Sequence, residues 1–227
     1  MNIKEIKRGI KKSWNWVWHS DSIFSWIVAL LLIFIFIKLI FFPVLSLIMG
    51  TSLPLAGIES SSMDHQIVKD GISRLSLCDE VYTKEDKEHI NFNEYWEVCG
   101  NWYESNKNIT KEEFSDFWLK NGFRKGDIII VWGRFTPKVG DVIIFKPGAG
   151  SMAPRPIIHR IVDIDENNII QTKGDHNEGQ LTGSNNAYRT DETNIHEDQV
   201  IGKAIIKIPY LGWLKIWFVD LINIFRG

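Results

Sequence analysis

The chain has 227 residues, 26 Lys and Arg against 28 Asp and Glu, and a formal net charge of −2. Its only basic block lies within residues 1–12, which argues against a nucleic-acid partner, and it has two cysteines, too few for a disulfide framework. Beyond one long apolar run about 175 residues remain, enough for a single domain with a real core.

Residues 1–20 carry Lys4, Lys7, Arg8, Lys11 and Lys12 interleaved with Ile3, Ile6, Ile10, Trp14, Trp16, Val17 and Trp18. This pattern predicts a basic amphipathic helix on an anionic inner leaflet, with a frayed basic tail as the alternative for residues 1–8. Residues 22–49 follow as a transmembrane helix, interrupted by Ser25, Lys38, Pro43 and Ser46. A bilayer core of about 30 Å needs roughly 20 helical residues, so the run spans with some tilt. Lys38 is past its midpoint and is expected to reach toward the outer headgroups. No Lys or Arg follows until Lys69. The asymmetry puts residues 1–20 in the cytoplasm and the rest on the outer face of the cell membrane, in a single-pass topology. A cleavable signal peptide is the competing reading, but the run is about twice a typical apolar signal core and no small-x-small site follows closely.

Residues 50–208 are read as the outer domain. Within it, about 64–125 forms a small helical insert. Tyr95, Trp96, Trp102 and Tyr103 recur at helical spacing. Thr110-Lys111-Glu112-Glu113 is a capping box opening a helix with Phe114, Phe117 and Trp118 on one face, ended by Gly122 and Gly126. Cys78 and Cys99 lie in this insert, either as a disulfide, which the outer face permits, or as two small buried hydrophobes. From Asp127 the pattern changes to short β-branched strands: 128–131, 141–145, 156–164, 169–172 and 200–208, separated by Gly, Pro, Asn and Asp. Without intervening helices these predict a mainly β domain, an antiparallel sheet of barrel-like or sandwich form. Residues 209–227 are aromatic and apolar but short and carry Lys215 and Asp220, which suits a C-terminal interfacial helix better than a second span.

Chemistry is concentrated at three places. Ser62 lies in Glu59-Ser60-Ser61-Ser62-Met63, shortly after the span; His159 lies in the apolar run Ile157-Ile158-His159-Arg160-Ile161-Val162; Asp175 lies in the turn Lys173-Gly174-Asp175-His176-Asn177. Serine needs a base to become a nucleophile, and the base needs a carboxylate to orient it. Each feature alone has a bland explanation: a solvated turn, a core histidine, a turn-forming aspartate. The ordered combination is specific. Cys-x-x-Cys and His-Glu-x-x-His are absent, so neither a metal nor another cofactor is expected.

On these residues the chain resembles a type I signal peptidase of the archaeal and endoplasmic-reticulum kind. In that family a transmembrane helix leads into Ser-Gly-Ser-Met, similar to Ser60-Ser61-Ser62-Met63, with Ser61 in place of the glycine. Gly140-Asp141-Val142-Ile143-Ile144-Phe145, His159-Arg160-Ile161-Val162 and Lys173-Gly174-Asp175-His176-Asn177 resemble the boxes that follow, as do Gln199–Ala204 and Pro209–Trp213. The resemblance covers about residues 23–63 and 125–215, not the insert. It implies a membrane-bound serine endopeptidase that removes N-terminal signal peptides from exported preproteins. Ser62 would be the nucleophile, His159 the general base and Asp175 the carboxylate orienting it. The Ser62 N–H and Ser60 hydroxyl would form the oxyanion hole. The family's second acid shortly after the Gly-Asp box would fall on Asp191, with Glu178 the other near candidate.

Four rival residues remain inside the same reading. Ser151, in Gly150-Ser151-Met152-Ala153-Pro154, is a second Ser-Met, His176 is a second histidine beside Asp175, and Lys146 and Lys173 are lysines outside the base box. The expected partners are signal-peptide-bearing preproteins and the lipid membrane, with small residues preferred at the first and third positions before the cut. The alternative is a catalytically inactive, membrane-anchored binding or scaffold protein on the same fold.

Overall fold

The computed structural model describes residues 3–69, 75–78, 80–83 and 90–211. The chain divides after residue 48 into a helical N-terminal unit and a larger, mainly β unit.

In the N-terminal unit, helix α1 (Ile3–His19) buries none of its side chains, and Ile3, Ile10 and Trp14 are among its exposed apolar residues. A second helix runs continuously over Ile23–Met49, long and apolar enough to cross a membrane. It comprises α2 (Ile23–Phe36), a π-turn (Ile37–Phe41) and α3 (Phe42–Met49). Pro43 accounts for the π-turn. Its missing N–H and its ring oppose the regular bond to the preceding turn, and one widened turn accommodates both. The Lys38 side chain folds back along the helix, its Nζ 5.9 Å from the centre of the Phe34 ring, as the backward tilt of helical side chains favours. Between α1 and α2, buried Ser25 donates its hydroxyl hydrogen to the carbonyls that end α1, with Val17 O at 2.8 Å and Trp16 O at 2.9 Å. These are carbonyls the helix cannot satisfy itself.

The larger unit is built on a six-stranded antiparallel sheet. Its strands are β1 (Leu55–Gly57), β5 (Ile128–Trp132), β6 (Val142–Phe145), β7 (Ile157–Ile164), β8 (Ile170–Lys173) and β9 (Val200–Ile208). Their spatial order is β1-β5-β9-β6-β7-β8, so β1 and β8 are the edges. Register shifts at Ile130/Val131, Ile144/Phe145 and Ile161/Asp163 mark bulges, which increase twist and let so short a sheet curl. β6 is buried along its whole length, which explains an apolar run with no alternation. Its Val142 and Ile144 pack with Ile58, Met63, Phe123 and Ile129, whereas Ile143 and Phe145 pack with Ile161, Ile170 and Ile195.

Residues 64–125 contain helices, as expected, and also a small antiparallel sheet of β2 (Val68–Lys69), β3 (Leu75–Leu77) and β4 (Glu80–Tyr82). Two- and three-residue strands leave too little periodicity to be read from sequence. Helix α4 (Phe92–Lys107) is opened by an Asn91/Glu94 capping box and buries Tyr95, Trp96, Cys99 and Tyr103. Helix α5 (Lys111–Asp116) has the Thr110/Glu113 box, but it stops at Asp116 rather than Gly122. Beyond it the backbone turns so that Trp118 O and Leu119 O accept hydrogen bonds from Arg160, at 3.1 and 3.0 Å. The indole N–H of Trp118, itself largely exposed, donates to Ile205 O. The C-terminal helix expected over 209–227 falls, beyond Leu211, outside the described residues.

Cys78 and Cys99 are bonded, tying β3 to α4 across 21 positions. A closed loop of this size removes on the order of 3 kcal/mol of conformational freedom from the unfolded chain. Replacing both cysteines by serine should therefore lower stability by about 2–4 kcal/mol. The check is thermal unfolding of both proteins with and without reductant. Reductant should lower the wild-type midpoint toward that of the variant and leave the variant unchanged.

Candidate functional site

Ser62 follows β1 in a segment without regular structure, and four backbone groups around it are tied to neighbouring turns. His176 N–H donates to Ser62 O (2.9 Å), Phe123 N–H to Met63 O (3.0 Å), Asp64 N–H to Ser61 O (2.8 Å) and Gly126 N–H to Ile58 O (2.9 Å). The Ser62 hydroxyl lies 3.2 Å from the Ser60 hydroxyl. Both serines line a cleft of about 660 Å³ bounded by β1, by residues 153–158 and by Tyr188. His159 of β7 lines the same cleft, although only 3% of its surface is exposed. Gly174 is where the parts converge. A Cβ placed there would stand 2.8 Å from His159 Nε2 and 2.8 Å from Ser62 O, so glycine is what allows the histidine and the serine segment to approach.

The partner of His159 is not the aspartate expected from the sequence. Its Nδ1 is hydrogen-bonded to the carboxylate of Glu192, which is fully buried. Glu192 is itself fixed by Thr172 Oγ1 (2.9 Å) and by Leu181 N–H (2.8 Å). An ionised carboxylate only accepts, so Nδ1 carries the proton and Nε2 is left as the basic nitrogen.

Asp175 lies elsewhere in the network. Its carboxylate accepts from Arg160 Nη2 (2.6 Å) and Nε (2.9 Å), from His65 Nε2 (2.9 Å) and from Tyr103 OH (3.1 Å). Strand alternation explains the difference. His159 and Arg160 are adjacent in β7 and point to opposite faces, and Asp175 is on the arginine's side. Burial alone would push the Asp175 carboxyl up, but Arg160 and His65 outweigh it and hold it well below the usual carboxylate range.

Asp191, the expected second acid, is exposed and caps a turn through Thr193 N–H (2.9 Å) and Thr193 Oγ1 (2.7 Å). Its neighbour Glu192 takes the inward place. No local sequence signal separates the two: in Thr190-Asp191-Glu192 the structure buries the outer two residues and exposes the middle one. Ser151 is bonded to Thr190 Oγ1 (3.0 Å) and Tyr188 O (3.1 Å), in the loop before β7. His176 Nδ1 donates to Asp64 O (2.9 Å), and burial lowers the affinity of its ring for a proton. Lys173 is fully buried, with its Nζ 4.8 Å from the Tyr103 ring centre and 5.1 Å from that of Trp102. Burial pulls its ammonium down to about 8 against the attraction of Asp175 and Glu192.

Asp64, two residues after Ser62, is pushed up to about 6 by burial, against the Gln66 N–H and the Arg124 guanidinium. A carboxyl that holds its proton more tightly folded than unfolded loses stability as pH rises from about 4 to about 6. Asp64→Asn, which keeps the acceptor for Gln66, should raise the melting temperature above pH 6 and leave it unchanged near pH 4. A pH series of thermal melts on both proteins checks this.

No protein-family model matches the chain. A 104-residue stretch is 26% identical to the signal peptidase complex catalytic subunit SEC11 of Verticillium alfalfae. The match takes 43% of this chain and 57% of that protein, so the chain spans little more than half of that relative's length. Over that stretch, the chain is similar to the catalytic subunit of a signal peptidase complex.

Proposed function

We propose that the chain is a membrane-anchored serine endopeptidase that removes N-terminal signal peptides from exported preproteins. The observation that carries the reading is His159: Nδ1 held by a buried carboxylate, ring lining the cleft of Ser62, Nε2 against Gly174. The limited similarity to SEC11 points to the same substrate class.

Ser62 Oγ attacks the carbonyl at the cleavage site while His159 Nε2 takes its proton. The imidazolium then protonates the leaving amine. Glu192, in place of Asp175 or Asp191, holds the tautomer and stabilises the imidazolium. In the free enzyme the Ser62 hydroxyl rests against Ser60, so substrate docking must turn it toward Nε2. Ser60 then donates to the developing oxyanion together with the Ser62 N–H, a type of contact worth roughly 3–4 kcal/mol. Among the described residues β1 pairs only with β5, and it borders the cleft, so an extended substrate can add as a strand. Small residues near the cut would bring its backbone close to Ser62.

The apolar helix anchors the enzyme with the β unit on the outer face. The lysine-rich helix α1 lies on the anionic inner leaflet. An accessible serine just past the span suits a substrate whose own apolar segment ends at the membrane surface.

Cleavage of a preprotein by the full chain in vesicles is the direct test. Ser62→Ala should abolish it and Ser151→Ala should not, while protease added outside should leave residues 1–20 intact. Loss with Ser151→Ala alone would move the nucleophile, and persistence of cleavage in Ser62→Ala would remove the serine mechanism.

The two carboxylates should separate by phenotype. Glu192→Gln is expected to reduce kcat on the order of a thousandfold with the fold intact, since it removes the tautomer control. Asp175→Asn strips the buried Arg160 of its counter-charge and should cost about 3–5 kcal/mol of stability. Asp191→Asn should change neither. Circular-dichroism melts alongside single-turnover rates distinguish the three.

A further inference from the structure

We propose that His65 is a positioning residue: through its hydrogen bond to Asp175 it fixes the segment that carries Ser62. The inference rests on the serine-peptidase reading and extends it to a side chain outside the reacting set.

Ser62 lies on no strand or helix, so no ladder sets its position. Three residues later His65 turns inward, 4% exposed, and donates Nε2–H to Asp175 Oδ2 at 2.9 Å. Its ring stacks on Tyr95, centres 3.7 Å apart and planes 4° from parallel. Nδ1 makes no hydrogen bond to the described residues, and the Asp175 carboxylate can only accept, so the tautomer with the proton on Nε2 is the one that fits.

The receiving carboxylate is itself immobile. Arg160, the neighbour of His159 in β7, grips it with Nη2 and Nε, and Tyr103 OH donates to Oδ1. The path His65–Asp175–Arg160 therefore runs from the serine segment to the strand that bears the base, behind the cleft. Backbone bonds reinforce it at His176 N–H to Ser62 O and at Asp175 N–H to Met63 Sδ (3.4 Å).

The sequence contains its own comparison. In Ser151-Met152-Ala153-Pro154 the second residue after methionine is proline, whose ring fixes the local backbone. In Ser62-Met63-Asp64-His65 that place is taken by histidine, which cannot fix its own φ and is anchored from outside by Asp175 instead. A nucleophile misplaced by about 1 Å loses on the order of a hundredfold in rate, so even partial release of this anchor is measurable.

The test compares preprotein cleavage in vesicles by the full chain, wild type against His65→Gln, His65→Phe and Ser62→Ala. Glutamine can present its amide N–H near the position of Nε2, whereas phenylalanine keeps the ring against Tyr95 without a donor. His65→Phe should lower kcat by about tenfold or more at nearly unchanged KM, and His65→Gln should recover most of that loss. A merely structural role would lower the melting temperature without this split and without rescue by glutamine. If His65→Phe does not fold, His65→Asn, whose shorter amide falls away from Asp175, must show the same loss of kcat. Wild-type kcat in the donor-less variant, or equal loss in His65→Gln, overturns the proposal while Ser62→Ala remains inert. Cleavage by Ser62→Ala would instead overturn the serine mechanism and this inference with it.

Discussion

The larger unit is organised around one buried ion pair, Arg160 with Asp175. Neither side chain is exposed, and desolvating two charges costs several kcal/mol per ion unless every donor and lone pair finds a partner. Here that condition is met. The five N–H groups of Arg160 serve the Asp175 carboxylate and the carbonyls of Trp118, Leu119 and Gly140. Its guanidinium also lies 4.8 Å from the centre of the Phe114 ring. One side chain therefore fixes β7, the turn after β8, the segment that ends α5 and the turn before β6. Gly140, at a φ of +92° and with Phe117 packed where a side chain would stand, belongs to the same junction.

The pair also sets the electrostatics of the proposed reaction. Among the described residues, the fully buried Arg160 and Lys173 are balanced by the fully buried Asp175 and Glu192. Each carboxylate holds one histidine. Glu192, buried behind the cleft, takes His159, which places it to stabilise an imidazolium in the proposed reaction. Asp175, already committed to Arg160, takes His65, and in the proposed reaction it would serve geometry rather than proton transfer. Two acid–histidine pairs thus stand on either side of β7, and the alternation of side chains along that strand keeps them apart.

The insert belongs to this arrangement although it lies outside the resemblance. Tyr95 and Tyr103 of α4 donate to the Asp175 carbonyl and carboxylate, and Lys107 reaches Asp163 and Gln171 on β7 and β8. Its aromatic residues are a core, built against the site's rear wall. The disulfide to β3 holds that helix, and with it the two tyrosines, in place.

The sequence by itself determined the longer strands and the membrane-length helix. Short β-branched runs bounded by Gly, Asp and Pro marked the five long strands to within a residue or two, and Thr110 with Glu113 marked the start of α5. The apolar run of 27 residues marked the helix able to cross a membrane. Those signals are local: they depend on periodicity, capping and the absence of charge. The tertiary structure decided which charges meet. Asp175, Asp191 and Glu192 are equally plausible partners for His159 in a list of residues. Only the pairing of strands, the bulge in β7 against β8 and the short bridge between Thr182 and Asp191 put Glu192 inside, Asp191 in solvent and Asp175 beside Arg160. The same holds for the disulfide, the early end of α5 and the role of His65. Each depends on a partner far away in sequence, and burial of a charge is settled by whatever that partner supplies.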